Sequence, residues 1–264
     1  MRSSLIRFLS PIILLLSIVG CAHPPPPIEQ PQPAYFSEWL PALQARSEHW
    51  KSYQARVKLS AQTADKKFNL NAIILARLPD QFRLEAFRLG QTVGVITLNH
   101  GQSGLFVPSE KVVYTSDRSE SLIDYFLGIP LPLDMFGYSL SASLPLDQLD
   151  GLQITHHDST WLGYAKPSPE GWAYAWQFLS SPQKIQSVRV QRAAWNYTIL
   201  YEPPVGLAVQ DVPQKIMFSS AEWQIELTIQ EITAAPILQD AVFNTDFGGE
   251  FRHMDLSSLR SGNP

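Results

Sequence analysis

Hydrophobic and polar positions alternate with a period of two along most of this chain. Val57, Leu59 and Ala61 share one face of such a run, and Phe68, Leu70, Ala72, Ile74 and Ala76 share another. Phe82, Leu84 and Ala86 alternate with Arg83, Glu85 and Phe87. Val93 with Val95 and Val112 with Tyr114 follow. The second half repeats the pattern in Trp172–Phe178, Trp195–Tyr201 and Trp223–Ile229. Alternation of this kind marks strands with one face turned from water. Turn pairs such as Pro79-Asp80 and Asp150-Gly151 predict antiparallel hairpins. About ten strands fit a large curved sheet or barrel better than a small sandwich. Which face lies inside is left open by the pattern.

Two segments break the alternation with helical spacing. Trp39, Leu40, Leu43 and Trp50 predict an amphipathic helix over Tyr35–Lys51, with Pro41 in its first turn. Asp117–Gly128, "DRSESLIDYFLG", predicts a second. Asp117 can cap it, Glu120 stands three residues on as in a capping box, and Gly128 can end it. "IPLPLDMFGYSL" adds a short helix or turn. These segments are apolar enough to cover something. The expected fold class is mainly β (α+β): an incomplete antiparallel β-barrel of about ten or eleven strands with a helical lid over an apolar cavity.

One hairpin is unusual. Between the runs ending at Phe87 and starting at Thr92 stands Arg88-Leu89-Gly90-Gln91. Tight turns usually carry Asn, Asp, Gly or Ser. On the residues alone, Leu89 either faces water or folds back beneath the sheet while Gly90 makes the turn.

The first residues change the picture. Arg2 and Arg7 precede an apolar stretch, Phe8–Val19, that reads as a secretory signal peptide and is short for a membrane span. It ends in Ser17-Ile18-Val19-Gly20-Cys21, which resembles the lipobox of bacterial lipoproteins. That resemblance implies cleavage before Cys21 and lipidation of Cys21. Cys21 is the single cysteine, so no disulfide forms within one molecule. Ala22 after the cysteine implies the outer membrane, with the protein facing the periplasm. "AHPPPPIEQPQPA" is too rich in proline for helix or sheet and reads as an extended tether. The expected organisation is a signal peptide (1–20), lipidated cysteine and tether (21–36), a folded domain (37–235) and a C-terminal extension (236–264).

The whole chain has a net charge of −4. Loss of Arg2 and Arg7 leaves 18 basic against 24 acidic residues, a net charge of −6. This argues against nucleic acid as a partner and against simple electrostatic docking to anionic lipid.

No catalytic motif stands out. His156-His157-Asp158 would place neighbouring side chains on opposite faces of a strand, a poor metal site. Ser103 in "GQSG" lacks the frame of a nucleophile elbow. The expectation is a protein that is not an enzyme, binds no cofactor or metal, and is a monomer.

Three stretches carry a family resemblance. "YQARVKLSAQ" from Tyr53, "FNLNAIILARLPDQFRLEAFRLGQTVGVITLN" from Phe68 and "YTSDRSESLIDYFLGIPLPLDMF" from Tyr114 resemble LolB in their order and gaps. The match covers Trp39 to Pro145. It implies a lipoprotein that receives other lipoproteins from a soluble LolA-like periplasmic carrier and helps insert them into the outer membrane. It also implies a protruding membrane-insertion loop, here Phe87, Leu89 and Gly90, with Arg88 where the family has proline. Candidates for an acyl-chain cavity are Leu70, Ala72, Leu84, Ala86, Ile96, Leu98, Leu122 and Phe126. The alternatives are a lipid- or glycolipid-binding lipoprotein of an envelope transport complex, or a scaffold lipoprotein with a filled core.

Overall fold

The structure is a computed structural model. It describes residues 36–256 except 65, 128, 130, 150–151, 158–159, 169–170, 181–182, 194, 245–246 and 248–250. Cys21, the signal peptide and the proline-rich tether lie outside the described residues.

Helix α1 (Phe36–His49) leads into β1 (Ser52–Thr63), β2 (Lys67–Arg77), β3 (Gln81–Arg88), β4 (Gln91–Asn99), β5 (Gln102–Val107) and β6 (Val112–Ser116). Three helices follow: α2 (Ser119–Leu127), α3 (Leu133–Ser141) and α4 (Leu146–Leu149). Then come β7 (Gln153–His157), β8 (Thr160–Tyr164), β9 (Ala173–Ser180), β10 (Gln183–Arg192), β11 (Trp195–Gly206), β12 (Lys215–Ser219) and β13 (Trp223–Ala234). A 3-10 turn (Asp240–Phe243) precedes β14 (Arg252–Asp255).

Among the described residues, fourteen strands form one sheet in the order β14-β6-β5-β4-β3-β2-β1-β13-β12-β11-β10-β9-β8-β7. The outermost strands, β14 and β7, do not pair, so the sheet is open rather than a closed barrel. The count exceeds the ten or eleven expected. The added strands are mostly four to six residues long, too short for a period of two to register in sequence. Pairing is antiparallel except that β14 runs parallel to β6.

The registers explain which side is dry. Val57 of β1 stands opposite Ala72 of β2, which stands opposite Ala86 of β3. Leu59 faces both Leu70 and Leu227. These inward residues are buried or half-buried, while Arg56, Lys58 and Asn71 between them face water.

The sheet bends around α3. The Phe136 ring lies 5.9 Å from Phe82 of β3 and 5.3 Å from Phe218 of β12. Those strands are four places apart in the sheet. Four spacings of about 4.8 Å on a flat sheet would put both out of reach of one ring. Gly137 permits the close approach: a β-carbon there would stand 2.6 Å from Leu78 Cδ2. The Tyr53 hydroxyl donates to the Gly137 carbonyl at 2.6 Å and pins α3 to β1.

Two helix expectations need correction. Pro41 is the sixth residue of α1, past the first turn, where it has no N–H for the carbonyl four residues back. Glu120 does not serve a capping box; its carboxylate takes Arg118 and Arg192 instead. α2 begins at Ser119, so Asp117 and Glu120 do not occupy the cap and third helical positions that a capping box needs.

Arg46 of α1 is fully buried, and among the described residues no carboxylate lies within ion-pair distance of it, although the Asp211 charge is near enough to favour its cationic form. Its guanidinium donates to five backbone carbonyls: Ala142 at 2.9 Å, Gly206 at 3.2 Å, Ala208 at 2.7 Å, Asp211 at 2.5 Å, and Ser141. It thereby ties α1 to the end of α3 and to the connection between β11 and β12. Burial lowers its pKa to about 10, so it stays charged at neutral pH.

The C-terminal segment is part of the sheet's outer layer. Phe247 and Phe251 pack on Phe106 at 5.1 and 4.7 Å, and Arg77 pairs with Asp240 at 2.5 Å while lying over Phe243.

Arg46→Ala should lower stability by about 3–5 kcal/mol, because it removes five hydrogen bonds to carbonyls in and beside the core, of which the Ala208 carbonyl keeps a second donor, the Asp211 N–H. Urea unfolding of the wild-type and variant proteins measures this, and equal midpoints would contradict the role given to Arg46.

Candidate functional site

The inner face of the sheet and the helices leave a cavity of about 40 Å3. Its wall is apolar throughout. Leu59, Leu70, Leu84, Ala86, Gly94, Ile96, Leu105 and Ile225 come from β1–β5 and β13. Ile123 of α2, Leu131, Leu133 and Phe136 close it from the other side. An apolar void of this kind stays dry. It is far smaller than the roughly 300–1,000 Å3 of ligand pockets, so a long ligand enters only if the covering segments move.

Leu70, Leu84, Ala86 and Ile96 thus come together on one wall. Ala72 and Leu98 are buried nearby but do not line the cavity. Leu122 is fully buried on α2, where Ile123 takes the cavity-facing place. The Phe126 side chain lies outside the described residues.

The covering helix is held at its start. The Glu120 carboxylate accepts from Arg118 and, at 2.7 Å, from Arg192 at the end of β10. Arg192 also lies over the Trp172 ring at 5.1 Å. Tyr197 continues this row between Trp172 and Trp223, at 6.4 and 5.5 Å. Burial pushes the Glu120 carboxyl up, but hydrogen bonds from Arg118, the backbone and Arg192 outweigh it and hold it below the usual carboxylate range. Neither partner of this ion pair was legible in sequence, since 72 residues separate them.

At the β3–β4 hairpin the chain does something costly. Arg88 pairs with Gln91, so Leu89-Gly90 is a two-residue turn. Both residues have positive φ, 51° and 79°. That is the geometry of a type I′ turn, which Asn and Gly tolerate. A leucine there costs roughly 1–2 kcal/mol of backbone energy. Leu89 is also 97% exposed. It does not fold beneath the sheet. Phe87, half-buried, sits at a bulge where Phe87 pairs with Thr92 and Ala86 with Gly94.

Other sequence candidates have structural work. The Ser103 hydroxyl is buried and donates to the Ser116 carbonyl at 2.6 Å, joining β5 to β6. His156 is exposed and stacks on Trp161 at 4.0 Å. The His157 side chain and Asp158 lie outside the described residues. Among the described residues, no cluster of metal-ligating side chains forms, and no helix is long and apolar enough to cross a membrane.

The Glu120 pair gives α2 an acid-sensitive tie. Its carboxyl pKa is depressed in the folded state, so its stabilisation is present above the ordinary carboxylate pKa and fades as pH falls through the lowered value. Glu120→Gln should cost about 1–2 kcal/mol at pH 7 and flatten the acid side of the stability curve. Urea unfolding between pH 3 and pH 7 checks this; parallel curves for the two proteins would refute it.

No protein-family model matches the chain, and no curated protein matches it in sequence. Solved structures do match in shape. A LolA superfamily protein from Nitrosomonas europaea superposes with a TM-score of 0.50 at 13% identity, over 80% of this chain and 98% of that one. A DUF1329 family protein from Desulfovibrio piger gives 0.54 at 9% identity, over 78% and 95%. A domain named for outer membrane lipoprotein sorting, from Vibrio parahaemolyticus, gives 0.50 at 10% identity, over 79% and 96%. At such identities the likeness concerns the fold: a mainly β chain whose open sheet curls around helices, as in LolA-superfamily structures.

Proposed function

We propose that this protein is an outer-membrane lipoprotein of LolB type. It accepts the acyl chains of other lipoproteins from a LolA-like periplasmic carrier and helps insert them into the membrane, with no covalent chemistry and no cofactor. Cys21 carries its own lipid anchor. One observation carries the reading: a fully exposed leucine stands in a strained turn at the end of the strands that wall a wholly apolar cavity.

Each part has a physical role. The apolar wall accepts hydrocarbon by contact alone, at about 0.8 kcal/mol per buried CH2. α2 and the Leu131–Leu133 segment shift to admit the chain. Leu89, worth roughly 1.5–3 kcal/mol when buried, is too weak to anchor the protein but enough to engage lipid locally. Transfer needs only a higher cargo affinity than the carrier has. The similarity to a LolA superfamily protein and to a lipoprotein-sorting domain supports the fold such a role requires.

The test is transfer from a loaded carrier to residues 22–264, followed by delivery to liposomes. Cargo should move to this protein. Ala86→Leu should reduce that uptake severalfold by filling the cavity. Leu89→Glu should leave folding and uptake intact and cut delivery into liposomes at least fivefold. Cargo that stays on a carrier from the same organism, while the domain still takes up free lipid, would instead favour a different lipid-handling role. Delivery by Leu89→Glu at the wild-type rate would refute the membrane loop.

A further inference from the structure

The strand registers place several hairpin tips at one end of the sheet. β1 and β2 turn between Thr63 and Lys67, β3 and β4 at Leu89-Gly90, and β5 and β6 between Val107 and Val112. The β12–β13 turn and the β10–β11 turn lie at the same end, because Ser219 pairs with both Gln224 and Thr198. The cavity wall approaches this end through Leu70, Ala86 and Ile225.

Among the described residues, the charges there run against the net charge of the chain. Arg88 adjoins Leu89, Lys66 and Lys67 stand at the β1–β2 tip, and Lys111 stands at the β5–β6 tip. All four are exposed, and among the described residues none pairs with a carboxylate. The described acids of these tips are two. Glu110 accepts from the Tyr114 hydroxyl at 2.7 Å, and Glu222 lies farther along, at the β12–β13 turn. Trp195, 40% exposed beside the β10–β11 turn, lies at the same end but beyond Glu222 in the strand order.

We propose that this end of the sheet is a docking surface for a bilayer bearing anionic phospholipids. Leu89 enters the acyl region while Lys66, Lys67, Arg88 and Lys111 on this and the neighbouring hairpins meet lipid phosphates. An exposed apolar tip with cations on its own and the two neighbouring hairpins is suited to a membrane interface. An acidic protein surface would use the cations but leave an isolated, strained leucine without purpose. This proposal rests on the membrane role given to Leu89 above and adds the lipid class it meets.

The test uses residues 22–264, which retain every described residue and lack the lipidated cysteine. Binding is measured by flotation with vesicles of phosphatidylcholine alone and with about a third of phosphatidylglycerol, at low and high salt. The protein should prefer the anionic vesicles and lose that preference in high salt. Each cation changed to Gln should weaken binding about fivefold, and Lys66→Arg with Lys67→Arg should restore it. Equal binding to both vesicles, or Gln variants that bind like wild type, would overturn the proposal. So would Gln variants that float normally but exchange cargo poorly with the carrier, which would assign the cations to a protein partner. Cargo uptake from the carrier is read separately, so failure of the docking surface and failure of the transfer role are distinguishable.

Discussion

A single guanidinium holds the helical layer where it is. Arg46 lies fully buried, its guanidinium donating to five backbone carbonyls, with the Asp211 charge nearby. Removing a cation from water is expensive, and only a full set of acceptors makes its burial tolerable. Those acceptors are the carbonyls at the end of α3, at the end of β11 and in the connection after it, backbone groups that the interior must satisfy. Arg46 therefore decides where α1 and α3 sit relative to the far strands. With α3 fixed, Phe136 can touch both Phe82 and Phe218, and the sheet must curl.

The same packing leaves α2 as the less secured cover. α3 is pinned by Tyr53 and by the fit of Gly137 against Leu78. α2 is held at its start by the Glu120 ion pair, along its length by the contact of Tyr125 with Tyr114, and on its inner side by apolar contacts such as Leu122 and Ile123. Apolar contacts are non-directional, so an incoming hydrocarbon can replace them with little loss. A cavity that is nearly closed when empty avoids the penalty of a large void. A wall free of polar groups sets no demand on the shape or chemistry of what fills it beyond being apolar.

Net charge was a poor guide to the surface. A chain with an excess of acid places Lys66, Lys67, Arg88 and Lys111, exposed and without an ion pair among the described residues, on three neighbouring hairpins, one of which carries the exposed Leu89. Surface charges act within about 8–10 Å at ordinary salt, so their arrangement matters more than their sum. The arrangement depends on three hairpins, separated in sequence by some tens of residues, turning at the same end of the sheet.

Much of this was written in the sequence. Alternation identified the long strands, because period two is a local property of a half-buried strand. The apolar run Leu122–Phe126 and the spacing of Trp39 and Leu43 marked the two helices for the same reason. Leu89 in a turn was visible as an anomaly, but whether it pointed out or folded under was not. Strand number, the open edge between β14 and β7, the Arg46 and Glu120–Arg192 contacts, and the packing of Phe243, Phe247 and Phe251 on the outer face were decided only by the tertiary structure. Each is a meeting between segments far apart along the chain, and no local pattern encodes which distant carbonyl or ring will arrive. The inner face itself was chosen this way: both faces of β3 carry apolar residues, and the position of the helices made Leu84 and Ala86, rather than Phe87, the wall of the cavity.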